Sequence, residues 1–180
     1  MLESYFALRT RIDRFQASVR ARYGEQINCH AGCASCCAAG LTIVLVEAVS
    51  LGTAFDIAEE RIYLQAGQPP LSDTGRCALL NENDLCAVYA ARPLICRTHG
   101  LPLQYPDQAE ISICEKNFLF QKPHQSAILD VSNMEKALFA VNLEYCRHVG
   151  LNPLARVAVD RLAEMIYSRL RPGTPVSAGK

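Results

Sequence analysis

Apolar and polar residues alternate over the first 23 positions with the period of an α-helix. Apolar side chains recur every three or four residues from Leu2 to Val19, and residues 1–23 also contain five arginines at other positions. This spacing places the apolar side chains on one face, so it predicts an amphipathic helix that ends near Gly24. The arginine-rich outer face is expected to be solvated.

A second apolar pattern runs from 41 to 67. It opens with four consecutive apolar residues at 43–46 and continues with helical spacing as far as Ile62. Because so short an apolar run fits a buried strand as well as a buried helix, a strand at 43–46 stays open. Gly67 and the Pro69-Pro70 pair are expected to end the element.

The stretch from 66 to 116 is rich in residues that break regular structure. The polar sequence 81–84 separates two hydrophobic patches, which predicts a small hairpin with Cys77 and Cys86 on opposite arms. Pro93 is expected to open or close a turn of helix. The remainder, with further glycine and proline residues, is predicted to be loop.

Two further helices are predicted in the C-terminal third. Residues 132–135 (Ser-Asn-Met-Glu) match a capping box, and apolar residues follow at helical spacing as far as Val149. Asn152 and Pro153 fit the cap and the first residue of a last helix. The tail at 173–180 is predicted to be frayed.

Together these patterns predict a mostly α fold with a single domain over residues 1–172. The N- and C-terminal helices are expected to pack around a loop-rich middle that is clamped by cysteines and metal. That metal-binding core is expected at about 25–118, and the helical C-terminal part at 130–171. A chain of 180 residues is long enough to bury a hydrophobic core without disulfides.

Charge and hydropathy exclude several classes of partner. Eighteen basic residues oppose eighteen acidic ones, and without a basic excess no nucleic acid is expected as a partner. The longest apolar run is far shorter than the ~20 residues that span a bilayer, so no membrane partner is expected. The N-terminus lacks the apolar core of a secretory signal. We therefore expect a cytoplasmic protein. Because disulfides are rare in the cytoplasm, they do not explain its nine cysteines.

Cysteine is the residue type that carries the candidate chemistry. Four cysteines fall within the segment 29–37 with the spacing Cys-x3-Cys-x2-Cys-Cys, and four more follow in the loop-rich middle. Closely spaced thiolates are soft ligands, which indicates zinc or iron, the latter also as an iron–sulfur cluster. The predicted metal ligands are Cys29, Cys33, Cys36, Cys37, Cys77, Cys86, Cys96 and Cys114.

Some details of this ligand set stay open. Eight thiols suit two four-cysteine sites, or one cluster and one zinc site. Adjacent side chains cannot easily reach one ion, so Cys36 and Cys37 either serve two sites or include a single ligand. His99 could replace a thiol. The ninth cysteine, Cys146, lies in a predicted helix and is expected to be a buried hydrophobic residue.

Radical chemistry and simple burial are the competing explanations of the cysteines. The spacing of Cys29, Cys33 and Cys36 matches the cluster loop of radical-SAM enzymes. Ser35, however, stands where that motif has an aromatic residue, and the chain lacks the alternating strands and helices of a barrel. Burial explains single cysteines but not four within nine residues. A metal centre therefore accounts for the pattern better than either alternative.

The sequence resembles a bacterial cysteine-cluster family, described as a zinc- or iron-chelating domain and known by the signature CxxCxxCC. The resemblance covers about residues 25–118 and is most specific in the string Cys-Ala-Val-Tyr-Ala-Ala-Arg-Pro-Leu-Ile-Cys-Arg at 86–97. One departure is the first spacing, which has three intervening residues instead of two. The resemblance implies metal binding without an established reaction. A similar cluster in flagellin lysine methylases implies the alternative of an iron–sulfur enzyme or electron carrier that modifies proteins or small molecules.

Four residues of the 86–97 string have expected supporting roles. Tyr89, Arg92 and Pro93 are predicted to brace the loop, with Arg92 close to the sulfurs. Arg97 could offset the negative charge of four thiolates. No phosphate-binding loop, catalytic triad or zinc-protease motif occurs, so catalytic residues stay unassigned, and a protein partner stays open.

Overall fold

The computed structural model describes residues 1–170, and the predicted frayed tail at 173–180 lies outside this range. The described chain is mostly α-helical, as predicted, and none of its helices is long and apolar enough to cross a bilayer. Its α-helices are α1 (Glu3–Tyr23), α2 (Leu45–Thr53), α3 (Glu59–Tyr63), α4 (Leu94–Thr98), α5 (Val131–Val149) and α6 (Val159–Leu170). Its strands are β1 (Thr42–Val44), β2 (Leu103–Gln104), β3 (Leu129–Asp130) and β4 (Arg156–Ala158). Short 3-10 turns lie at Gly24–Gln26, Tyr89–Ala91 and Gln125–Ala127.

Helix α1 confirms the predicted N-terminal amphipathic helix. Its apolar stripe, which includes Tyr5, Leu8, Ile12 and Val19, is buried. The helix packs against α4 and α5. Removal of apolar surface from water stabilises such packing by about 25 cal/mol per Å². The N-terminal helix is therefore attached to both the loop-rich middle and the C-terminal part.

Strands β1 and β4 pair antiparallel inside the main hydrophobic core, with Ile43 opposite Val157. Both side chains are fully buried. Each strand passes directly into a helix, β1 into α2 and β4 into α6. The apolar run at 43–46 therefore begins as a strand and becomes helical at Leu45.

The helical pattern predicted across 41–67 forms two helices, with a break between α2 and α3. Asp56 in the break has a positive φ of 53°, and the Ile57 N–H donates to Gly52 O at 3.1 Å. A Cβ on Gly52 would lie 2.2 Å from Cδ1 of Ile62. The missing side chain therefore lets α3 pack closely against α2.

The start predicted for the first C-terminal helix is wrong. Helix α5 begins at Val131, one residue before the predicted capping Ser132. The carboxylate of Asp130 caps the helix instead, because it accepts hydrogen bonds from the backbone N–H of Asn133 at 2.9 Å and from its side-chain amide at 2.7 Å.

The start predicted for the last helix is also wrong. Asn152 and Pro153 lie in a turn, in which Asn152 Oδ1 accepts a hydrogen bond from the Leu154 N–H at 2.9 Å. The next residues form β4, whose pairing with β1 competes successfully with helix formation. Helix α6 consequently begins only at Val159.

The hairpin predicted at 77–86 is present. The Ala87 N–H donates to Leu79 O at 2.9 Å, and the Asn81 N–H donates to Leu85 O at 3.0 Å. The polar turn between these pairs is stabilised by the Asn81 side chain, which accepts from the Leu85 N–H at 3.0 Å.

A second, smaller hydrophobic cluster lies beside the cysteine segments. Strands β2 and β3 pair parallel next to it, with Leu103 opposite Leu129. The cluster joins the end of α1 to the chain on both sides of Cys114, and Cys29 packs against it. Its buried members are Val19, Tyr23, Ile27, Leu101, Phe118 and Ala127. This cluster holds together segments that are far apart in the sequence.

Candidate metal centre

The N-terminal cysteine segment folds as two successive turns. The Cys33 N–H donates to His30 O at 3.0 Å, and the Cys37 N–H donates to Ala34 O at 2.9 Å. Gly32 lies in the first of these turns with a φ of 92°, which glycine adopts without strain. The segment therefore consists of turns and not of a helix.

The cysteine segments meet in space. The Cys77 N–H donates to Cys37 O at 2.9 Å, and the Ala39 N–H donates to Gly75 O at 3.0 Å, so the first segment runs beside the start of the hairpin. Seven of the eight predicted ligands line one cavity of about 300 Å³, and they are Cys29, Cys33, Cys36, Cys37, Cys77, Cys86 and Cys96. Cys114 does not line this cavity but interacts electrostatically with Cys29.

One set of cysteines is connected by mutual electrostatic interactions, and we call Cys37, Cys77, Cys86 and Cys96 the hairpin group. The pKa of Cys96 is raised to about 12, first by burial and then by the other three members. The pKa of Cys37 is also raised to about 12, mainly by burial and then by Cys36 and members of this group. All four side chains also line the same cavity, so they lie in one part of the molecule.

The remaining predicted ligands form a second set, the loop group of Cys29, Cys33, Cys36 and Cys114. Burial raises the pKa of Cys29, and Cys33, Cys36 and Cys114 raise it further. Cys36 also acts on the pKa of Cys37 and so lies between the two groups. The adjacent Cys36 and Cys37 thus have neighbours in different groups.

Each group has an arginine whose positive charge favours the thiolate form. Arg92 lowers the pKa of Cys86 and Cys96 against the larger effect of burial, and Arg20 does the same for Cys29. Arg92 stacks on the Tyr89 ring at 3.8 Å and donates to Cys96 O at 3.2 Å. The predicted placement of Arg92 close to the sulfurs is confirmed.

Arg97 has other partners than the thiols. Its side chain is almost fully buried, and its Nη1 lies 2.7 Å from Asp13 Oδ1 on α1. The same guanidinium donates to the carbonyl oxygens of Arg92, at 2.7 Å, and of Ala90. Arg97 therefore attaches α4, and with it Cys96, to the N-terminal helix.

His99, the candidate ligand, lines the cavity, and so does His30. His99 Nδ1 lies 2.5 Å from Ile95 O, and His30 Nδ1 lies 2.7 Å from Ala31 O, which leaves Nε2 of each ring as the atom for any ligand. Within residues 1–170, no three side chains of His, Cys, Asp or Glu are already arranged as a metal-binding set. Ligation by His99 stays a prediction.

Asn117 is a site residue that the sequence patterns did not indicate. Its side chain is 4% exposed and joins two chain segments beside Cys29. Its Oδ1 accepts from the Asn28 N–H at 2.8 Å, and its Nδ2 donates to Gly100 O at 2.7 Å. Its own N–H donates to Cys114 O at 2.8 Å. Asn117 therefore links the chain next to Cys29 with the turn of Cys114.

Glu47 is a second such residue, and it acts on the hairpin group through α4. Its carboxylate is 3% exposed on α2, and its Oε1 accepts from the Leu94 N–H at 2.7 Å. Leu94 is the first residue of the helix that carries Cys96. Burial raises the pKa of Glu47, while the hydrogen bond from Leu94 lowers it.

We expect Glu47→Gln to change how folding stability depends on pH. The folded-state pKa is raised, so the contribution of Glu47 is complete below its unfolded pKa of about 4.3 and is lost as pH rises through the folded pKa. Glutamine keeps an acceptor for Leu94 but does not titrate. The stability of this variant relative to the wild type should therefore rise with pH above the unfolded pKa of Glu47 and level off once the pH has passed the folded pKa.

Urea unfolding of the reduced, metal-free chain at several pH values measures this effect, since metal affinity itself varies with pH. Glu135→Gln on the exposed side of α5 is the matched control, because it removes one carboxylate from an exposed position. Parallel profiles for Glu47→Gln and the wild type would contradict the prediction.

Cys146 is fully buried in the main core, as predicted. It lies on α5 among apolar side chains, and burial alone raises its pKa. Cys146 is therefore a core residue, and it does not line the cavity of the candidate ligands.

Residues 28–146 match the model of the CxxCxxCC family, described as a "putative zinc- or iron-chelating domain". The chain belongs to this family. The match reaches beyond the expected range of 25–118 and includes most of α5. No curated protein and no solved structure matches the chain. Membership of the CxxCxxCC family assigns zinc or iron binding to the domain, and the donor set fits it because both metals take thiolate ligands.

Proposed function

We propose that this CxxCxxCC protein binds two metal ions, one through the hairpin group and one through the loop group. The observation that carries the proposal is the meeting of seven of the eight thiols at one cavity. Within it, Cys37, Cys77 and Cys86 act on the pKa of Cys96, while Cys33, Cys36 and Cys114 act on the pKa of Cys29, which supports two sets of four. Four thiolates are the ligand number of closed structural zinc sites. The division also accounts for Cys36 and Cys37, because each then serves a different ion.

The thiols of both groups bind metal after they lose their protons. Burial raises the pKa of Cys29, Cys37, Cys86 and Cys96, so these groups carry protons at neutral pH in the metal-free chain. Metal uptake therefore releases protons. Arg92 and Arg20 offset part of the negative charge that remains.

The proposed role of the two ions is to join loops that have little regular structure. The hairpin group joins three separate segments through Cys37, the hairpin and α4. The loop group joins the first segment to Cys114. In this role the protein presents a stable surface in the cytoplasm, where its thiols stay reduced.

An iron–sulfur enzyme or electron carrier is the second candidate function, and the cavity between the two groups favours it. Its volume of about 300 Å³ is roughly that of ten water molecules in the liquid. A single tetrahedral ion needs no such space, whereas a cluster of iron and sulfide does. Supplied with a cluster, the site would be capable of one-electron transfer.

Anaerobic purification with elemental analysis tests the proposal and separates the candidates. We expect two zinc or iron ions per chain, and acid-labile sulfide in addition if a cluster is bound. Colourless protein with zinc and no sulfide supports the two-ion site, and brown protein with iron and sulfide supports the cluster. Protein purified and reconstituted with either metal that still contains none would contradict both.

A further inference from the structure

The loop group depends on three segments that are distant in sequence, and Asn117 touches all of them. Asn28 and Asn117 are 89 residues apart, yet Asn117 Oδ1 accepts from the Asn28 N–H at 2.8 Å. The same side chain donates to Gly100 O at 2.7 Å, and its backbone N–H donates to Cys114 O at 2.8 Å. The side chain of Asn117 therefore connects the residue before Cys29 with the segment after α4, and its backbone N–H connects both to the turn of Cys114.

The segment after α4 determines the space around the Cys29 sulfur. Gly100 has a φ of 88°, and a Cβ there would lie 2.7 Å from Cys29 Sγ. The Cys29 thiol donates to His99 O at 3.7 Å, and the Arg20 guanidinium donates to Cys29 O at 2.6 Å. A shift of Gly100 toward or away from Cys29 would therefore move the sulfur directly.

The hairpin group is held by different contacts. Cys37 is bonded to the hairpin through the Cys77 N–H at 2.9 Å, and α4 is fixed by Glu47 and Arg97. The described hydrogen bonds of Asn117 reach none of these residues. Removal of the Asn117 amide should consequently disturb one group and spare the other.

We propose that Asn117 is the positioning residue of the loop group, a role that rests on the proposed two-ion function. The amide fixes the segments of Cys29 and Cys114 relative to each other before metal binds. Residues that orient metal ligands in this way typically change metal affinity 10–100-fold when they are replaced. Asn117→Ala is expected to weaken zinc binding at the loop group by such a factor.

Zinc protection of cysteines against alkylation tests the proposal on the full reduced chain. The protein is titrated with Zn²⁺, treated with iodoacetamide under native conditions and read by peptide mass spectrometry. In Asn117→Ala the loop group should be alkylated at zinc concentrations that still protect the hairpin group. Wild-type protein should protect both, and fully buried Cys146 should stay unmodified in both as a sign of intact fold.

Asn142→Ala is the matched control, because the side-chain amide of Asn142 is also buried and also joins two segments of the chain. Its Oδ1 accepts from the Val46 N–H at 3.1 Å, and its Nδ2 donates to Pro153 O at 2.9 Å, away from the cysteines. This control should lose stability but keep the wild-type protection pattern. If Asn117→Ala does not fold, Asn117→Asp takes its place, because aspartate keeps an acceptor for the Asn28 N–H. This variant should also lose protection at the loop group and keep it at the hairpin group.

Two outcomes would overturn the role of Asn117. One is wild-type protection of all eight cysteines in the Asn117 variant. The other is an equal loss of zinc protection at the loop group in Asn142→Ala, which would show that lower stability alone reduces the protection. A wild-type chain whose eight cysteines gain no protection from zinc or iron would instead overturn the proposed function itself.

Discussion

Replacement of Cys96 by serine should remove one of the two proposed metal ions and leave the other in place. Cys96 lies on α4 and interacts with the other three members of the hairpin group. Serine keeps the size of the side chain but replaces a soft thiolate by a hydroxyl that zinc and iron bind far less well. We expect the affinity at the hairpin group to fall by more than the 10–100-fold typical of residues that only support a ligand.

Metal analysis of purified variants measures this effect, and Cys33→Ser is its counterpart in the loop group. Each variant should contain about half the metal of the wild type. In the presence of metal, only the cysteines of the group that carries the substitution should be alkylated. Cys146→Ala should keep the full metal content, because Cys146 is buried in the main core. Loss of all metal from both ligand variants would indicate a single shared centre, and metal loss in Cys146→Ala would contradict the division of the nine cysteines.

The helices could be predicted because their apolar side chains repeat with a helical period. The stripe from Tyr5 to Val19 identified α1, and the stripe before Val149 identified most of α5. The pairing of β1 with β4 could not be predicted, because it joins residues such as Ile43 and Val157 that are far apart in sequence. That pairing is also the reason why α6 begins later than its local signals indicate.

The candidate ligands could be proposed from spacing, whereas their grouping required the structure. Density of cysteines in the sequence indicates a metal but contains no information on which sulfurs face each other. Cys37 is placed in the hairpin group because its carbonyl oxygen accepts a hydrogen bond from the Cys77 N–H. Eight cysteines in one chain permit many divisions into fours, and tertiary contacts select among them.

Glu47 and Asn117, the two residues that support the cysteine groups, differ in whether the sequence indicated them. Glu47 interrupts the apolar sequence Leu-Val-Glu-Ala-Val, and a charged residue in a buried helix usually has a partner, so this signal was available. Asn117 lies in a polar loop and follows no period. Only its contacts with Asn28 and Gly100 show that it differs from other loop residues.

Removal of metal should destabilise the loop-rich middle more than the helical core. Structural zinc sites contribute about 10–16 kcal/mol in zinc-finger peptides, and in a chain of this size 1 kcal/mol corresponds to about 2–4 °C in Tm. We therefore expect a chelator under reducing conditions to lower Tm by at least about 10 °C. Hydrogen exchange should increase mainly at 28–40 and 76–117, where the cysteines lie.

Helices α1, α2, α5 and α6 should keep most of their protection without metal, because their apolar side chains pack against one another in the main core. Side chains from the middle, such as Leu79 and Leu94, also belong to that core, so some destabilisation of the helices is expected. Hydrogen exchange by mass spectrometry, with and without metal, measures both effects segment by segment. Equal loss of protection in helices and loops would show that metal supports the whole fold, and unchanged exchange at the cysteines would contradict a stabilising role for the ions.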